Sequence, residues 1–150
     1  MNKELRNMTI QEEKDELIEE FEMFDDWMDK YNYIIEMGKE LTPLSDDLKI
    51  KKYLISGCQS QLWLVADYAD GKINFQVDSD AIITKGIAQV LLRVVNKRSP
   101  KAIVKEDFSF LDSIGLKEHL SPTRSNGLTS MIKQIKLYAL VFKTKEEQKN

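Results

Sequence analysis

Two side chains stand alone in this chain of 150 residues: one cysteine, Cys58, and one histidine, His119. Cys58 lies in YLISGCQSQLWLV, with Gly57 before it and Gln59, Ser60 and Gln61 after it. Glycine opens backbone conformations closed to other residues, and the polar run keeps the thiol out of a continuous apolar segment. The pattern puts the thiol on a turn, and functional residues concentrate on loops held by rigid elements. A buried structural cysteine is the competing reading, because a free cysteine packs as a small hydrophobe. Lys49, Lys51 and Lys52 lie just upstream, and nearby cations favour the nucleophilic thiolate. No histidine is close enough in sequence to serve as its base, which argues against a self-contained cysteine hydrolase.

The other candidates are weaker. His119 in LKEHLSP reads as a packing or hydrogen-bonding residue. Arg124 in SPTRSNG sits among loop-forming residues, where its fork of donors caps a carbonyl or meets a partner's carboxylate. Asp78, Ser79 and Asp80 read as a strand-to-helix connection, with Asp78 or Ser79 as the cap. Trp27 and Trp63 read as core. One cysteine and one histidine fall short of a zinc or iron–sulfur ligand set, and no phosphate-loop pattern occurs. A net charge of −3 and a pI near 5.3 argue against nucleic acid as the main partner. No apolar run approaches the roughly 18 residues of a membrane span. The acidic start lacks the apolar stretch of a secretory signal. A reducing cytoplasm is the expected compartment, and Cys58 stays a free thiol there.

The elements that must position these residues follow from periodicity. Thr9 and Glu12 form a capping box at the head of a helix whose stripe runs Leu17, Phe21, Phe24, Met28 and Tyr31. Asp26 caps a second helix, and Gly38 supplies its stop. Residues 50–56 and 60–68 read as strands, the second with Leu62, Leu64 and Ala66 on one face and Trp63 and Val65 on the other. A turn at ADGK leads into a third strand carrying Ile73, Phe75 and Val77. A helix with Ile82, Ile83, Ile87, Val90, Leu91, Val94 and Val95 buried comes next. Ser99 and Pro100 start another, Gly115 stops a short one, and a final amphipathic helix runs from Leu128 to Phe142. Residues 1–8 and 143–150 read as flexible tails. The fold class is α+β, with a small antiparallel sheet of about three strands packed by N- and C-terminal helices in a single domain over 1–150.

Three blocks, SGCQSQLWL, DSDAIITKGI and HLSPTRSNGL, together with WMDKYNYIIEMGKEL, closely resemble signature blocks of the SufE family of sulfur acceptors. The resemblance spans roughly residues 10–142. It implies a compact fold like that of iron–sulfur scaffold proteins, without their metal-binding cysteines, and a role in iron–sulfur cluster assembly. Cys58 matches the family's cysteine, which takes persulfide sulfur from a SufS-like, pyridoxal-phosphate-dependent cysteine desulfurase and passes it to a scaffold complex. Gly57, Gln59, Ser60 and Gln61 then shape the loop. Arg124 matches an arginine implicated in partner contact, and docking or electrostatic support of the thiolate is the role expected of it here. The resemblance implies no cofactor or metal of the chain's own; the pyridoxal phosphate belongs to the desulfurase, which the acceptor stimulates. A paralogous acceptor group serving a different desulfurase shares the pattern. From the residues alone, a single-cysteine redox or peroxide-sensing protein stays open, as do a structural adaptor and a scaffold sharing a cluster across a dimer.

Overall fold

The computed structural model describes residues 8–149. Two helices open the described chain, α1 (Ile10–Glu22) and α2 (Trp27–Gly38). The Thr9–Glu12 capping box holds the start of α1 as expected, and Asp26 caps α2 through the Asp29 N–H. Two single 3₁₀ turns, Asp46–Leu48 and Lys51–Tyr53, lead to a hairpin of β1 (Leu62–Ala69) and β2 (Lys72–Ser79). The remaining helices are α3 (Ile82–Val95), α4 (Pro100–Lys105), α5 (Phe110–Ser113), α6 (Leu116–His119) and α7 (Pro122–Gln148). The expected α+β class holds, and no described helix is long and apolar enough to cross a membrane.

The sheet has two strands, β1 and β2, paired antiparallel from Leu62↔Ser79 to Ala69↔Lys72. The expected strand over 50–56 is reduced to one bridge, Leu54↔Trp63, and the Ile55 N–H bond to Leu62 O at 2.8 Å. The reason is coverage. Leu44, Leu48 and Tyr53 pack on Trp63 and Val65, so the chain crosses the outer face of β1 and reaches its edge only at the end. The inner face carries Leu62, Leu64, Ile73, Phe75 and Val77 into the main core, as the alternation implies.

Helix α3 is the centre of the molecule, buried nearly all round, which is the signature of a core helix. Helix α2 crosses it at Gly86: a Cβ there would lie 2.2 Å from Ile34 O, and one at Gly38 would lie 2.7 Å from Gly86 N. Gly38 therefore serves a close helix crossing as well as the expected stop, since α2 ends there with Lys39 as its right-handed cap. Arg93 of α3 ties α1 to the core through Glu13 at 3.0 Å and Glu20 at 2.7 Å. Glu20 also accepts from the Tyr33 hydroxyl. Burial together with that bond pushes the Tyr33 phenol up to about 12.

Several details differ from the sequence reading. Met28 and Ile82 are each 66% exposed. The expected apolar stripe crosses the break at Met23–Asp26, where α1 and α2 lose common phase, and Ile82 sits in the first turn of α3, short of the core. Ala81, without a side-chain cap, precedes α3; Ser79 Oγ accepts from the Ala81 N–H at 3.2 Å, short of the helix itself, and Asp78 is engaged elsewhere, as described below. Helix α7 runs past Phe142 to Gln148. Tyr68 stacks on Phe142 at 5.4 Å and donates to Glu146, and Lys143 pairs with Glu147 one turn on. The expected N-terminal tail, apart from Met8, lies outside the described residues.

Candidate functional site

The chain leaves the Leu54 bridge, turns at Ser56–Gly57 and re-enters the sheet at Leu62. Gly57 has φ +88°, and a Cβ built on it would stand 2.7 Å from Ser130 Oγ of α7. This left-handed backbone turns the chain so that Cys58 faces α7. Its Sγ lies 4.0 Å from Gly127 O, and a Cβ at Gly127 would sit 3.5 Å from the sulfur. The helix thus has a glycine where the thiol meets it.

Cys58 is half-buried at a cavity of about 200 Å³. Gln59 and Ser60 of the loop, Ile83, Thr84 and Ile87 of α3, and Arg124, Leu128 and Met131 of α7 line it. The floor is apolar and the rim polar. Of the residues singled out from the sequence, Cys58, Gln59, Ser60 and Arg124 come together here. Gly57 and Gln61 do not line the cavity; they fix the two ends of the loop. The Gln61 N–H donates to Asp80 Oδ1 at 3.0 Å, and Gln61 O accepts from Ser79 Oγ at 2.6 Å.

Arg124 occupies the first turn of α7, because Ser121 and Pro122 make a cap and N1 pair rather than a loop. Its guanidinium lies over the Tyr31 ring at 5.7 Å. His119 stands outside the cavity, stacked on Trp27 at 4.3 Å, with Nδ1 2.9 Å from Gly115 O. It packs, as its sequence context implies.

Two of the upstream lysines are engaged with other groups. Lys49 is 3.4 Å from Asp78 and 5.9 Å from the Trp63 ring, and Lys52 lies over Tyr53. Burial pushes the Cys58 thiol above its ordinary value. That shift runs against the thiolate expected from the lysines. Asp78 is held the other way. Burial pushes its carboxyl up, but the backbone N–H groups of Leu44 and Ser79 and the Lys85 ammonium outweigh that and hold it below the usual carboxylate range. It is thus an ionised anchor beneath the residues that clamp Gln61.

Sequence reasoning missed Asp80, Thr84, Gly127 and Ser130. Asp80, Thr84 and Gly127 lie in the blocks that carried the resemblance and Ser130 just beyond one, but none has a residue type or spacing that announces contact with a cysteine. Among the described residues no cluster of His, Cys, Asp and Glu has the geometry to hold a metal ion.

The fold and the sequence have counterparts. A solution structure of a hypothetical protein from Thermus thermophilus superposes with a TM-score of 0.73 at 19% identity, covering 88% of this chain and 96% of that one. An uncharacterised SufE-like protein of Rhizobium etli is 39% identical over 132 residues, 85% of this chain and 89% of its own. The SufE model, described as an Fe-S metabolism associated domain, matches residues 15–139. The chain belongs to the SufE family.

Proposed function

We propose that this protein is a sulfur acceptor that carries a persulfide on Cys58 between a pyridoxal-phosphate-dependent cysteine desulfurase and an iron–sulfur scaffold, and that it stimulates the desulfurase by clearing it. The observation that carries this reading is the placement of the chain's one thiol, on a glycine-hinged turn over a small cavity with an apolar floor. One thiol is sufficient for a carrier, and a second nearby would discharge the load.

The step is thiol exchange. Cys58, once deprotonated, attacks the outer sulfur of the donor's cysteine persulfide. The donor S–S bond breaks, its electron pair leaves with the donor thiolate, and a new S–S bond forms on Cys58. The proton given up by Cys58 balances the one gained by the donor thiol, and nothing is oxidised overall. A thiol raised by burial resists stray electrophiles at rest and ionises only when the loop swings into the partner's site. Arg124, at the cavity rim, is the charge in place to meet a partner carboxylate or the sulfur anion. The raised thiol also counts against peroxide sensing, which draws on exposed, low-pKa cysteines. The chain works in the cytoplasm as one sulfur-acceptor domain with no cofactor of its own.

The test is intact-mass analysis after incubation with the desulfurase and free cysteine. One added sulfur, removed by reductant and absent from Cys58→Ser, is the expected result. Arg124→Ala should weaken stimulation while leaving the fold intact. A Cys58→Ser protein that still stimulates the desulfurase fully overturns the reading.

A further inference from the structure

Between its fixed ends the thiol loop is tied down at few points. The Ile55 N–H bond to Leu62 O holds one end, and three bonds between Gln61 and Ser79 or Asp80 hold the other. Among the described residues, two hydrogen bonds tie residues 56–60 to the helices. One is the long Cys58 Sγ to Gly127 O contact at 4.0 Å. The other joins the hydroxyls of Ser60 and Thr84 at 3.2 Å. Sulfur is a weak donor and the first contact is long, so the hydroxyl pair is the stronger tie.

We propose that Thr84 is a positioning residue for the Cys58 loop, its hydroxyl latching Ser60 to α3 and so keeping the thiol turned toward the cavity. Thr84 is partly buried in the first turn of α3, between two isoleucines, Ile83 and Ile87, that line the same cavity. Apolar packing there would be served as well by valine, which has nearly the same shape. The hydroxyl is what reaches Ser60. A neutral pair of this kind is weak enough for a docking partner to break and strong enough to bias the resting loop. Breaking it leaves Gln61 clamped, so the loop pivots at that end rather than unravelling. The latch bears on sulfur transfer through the reading that Cys58 is the working thiol.

The experiment is alkylation of Cys58 by iodoacetamide in the free protein, without any desulfurase. Its outcome is therefore separate from that of the persulfide test. Thr84→Val is expected to raise the rate about fivefold, the factor that loss of one net hydrogen bond gives. Ser60→Ala should do the same, and the double variant should be no faster than either single, because both remove one bond. Thr84→Ser, which keeps the hydroxyl, should stay within about twofold of the parent. Parent-like rates in both Thr84→Val and Ser60→Ala overturn the proposal. So does Thr84→Ser reacting as fast as Thr84→Val, or a double variant showing the product of the two single effects. Ser60→Ala keeps the test decisive should Thr84→Val fold poorly.

Discussion

Replacing Gly57 by alanine tests whether the closed loop is held against strain. At φ +88° an L residue costs about 1–3 kcal/mol. The added Cβ also meets Ser130 Oγ at 2.7 Å, but that atom ends a short side chain that can rotate away. The φ strain is therefore the lasting effect, and it exists only while the loop is closed. Opening the loop relieves it, so the open fraction grows by the Boltzmann factor of the strain. For about 1.5 kcal/mol that factor is about tenfold, and iodoacetamide should alkylate Cys58 about ten times faster. Global stability falls by no more than the same amount, about 3–6 °C in Tm for a chain of this size. Adding Ser130→Ala should leave the fast alkylation in place, because it removes the clash and not the strain. Alkylation within twofold of the parent, alongside the expected loss in Tm, would show that the loop does not open as a unit and would refute the hinge.

Burial raises the Cys58 thiol, so the pH profile of its alkylation should have a midpoint above the value of about 8.5 for a free thiol, falling back to that value in denaturant; a folded midpoint below about 8 contradicts the placement. The folded state holds this proton more tightly, so the stability linked to it is full below the unfolded value and is lost as pH rises through the folded one. Gly86→Ala puts a methyl 2.2 Å from the Ile34 carbonyl and should cost about 1–3 kcal/mol; Gly127→Ala meets Cys58 Sγ at an ordinary 3.5 Å and should gain up to about 1 kcal/mol from helix propensity, both read by thermal melts. Asp78→Asn removes a carboxylate within 3.4 Å of two lysines and should cost about 2–4 kcal/mol at neutral pH. Because the Asp78 value is depressed on folding, its contribution is present above the unfolded value of about 3.9 and is lost as pH falls through the folded one; the acid limb of the parent's stability curve should flatten in the variant.

Much of the fold was legible because local signals and tertiary demands agree. The Thr9 and Asp26 caps, the Ser99–Pro100 start and the ADGK turn are decided within a few residues, and the structure keeps them. The errors arise where a long-range contact decides. Residues 50–53 have strand-like composition, yet the demand to cover Trp63 and Val65 bends them across the sheet face. Gly38 ends α2 as expected, but its contact with Gly86, far along the chain, is not announced by the sequence. SPTRSNG has the composition of a loop and is the cap and opening turns of α7, because serine and proline serve a helix start as readily as a turn.

The site shows the same division in sharper form. Cys58 was legible because a single thiol beside a glycine is conspicuous, and its turn was legible because the flanking residues are polar. Its electrostatic state was not. Three nearby lysines suggested a thiolate, but sequence proximity does not set a field; Lys49 is turned to Asp78, and Lys52 covers Tyr53. What governs the sulfur comes from α3 and α7, through Thr84, Gly127 and Ser130. A thiol whose ionisation is opposed by burial, on a loop tied to the helices by two hydrogen bonds, has its reactivity set by loop position. Under the proposed sulfur transfer, ionisation and access arrive together, when a partner draws the loop out, and a carrier working this way needs no base of its own.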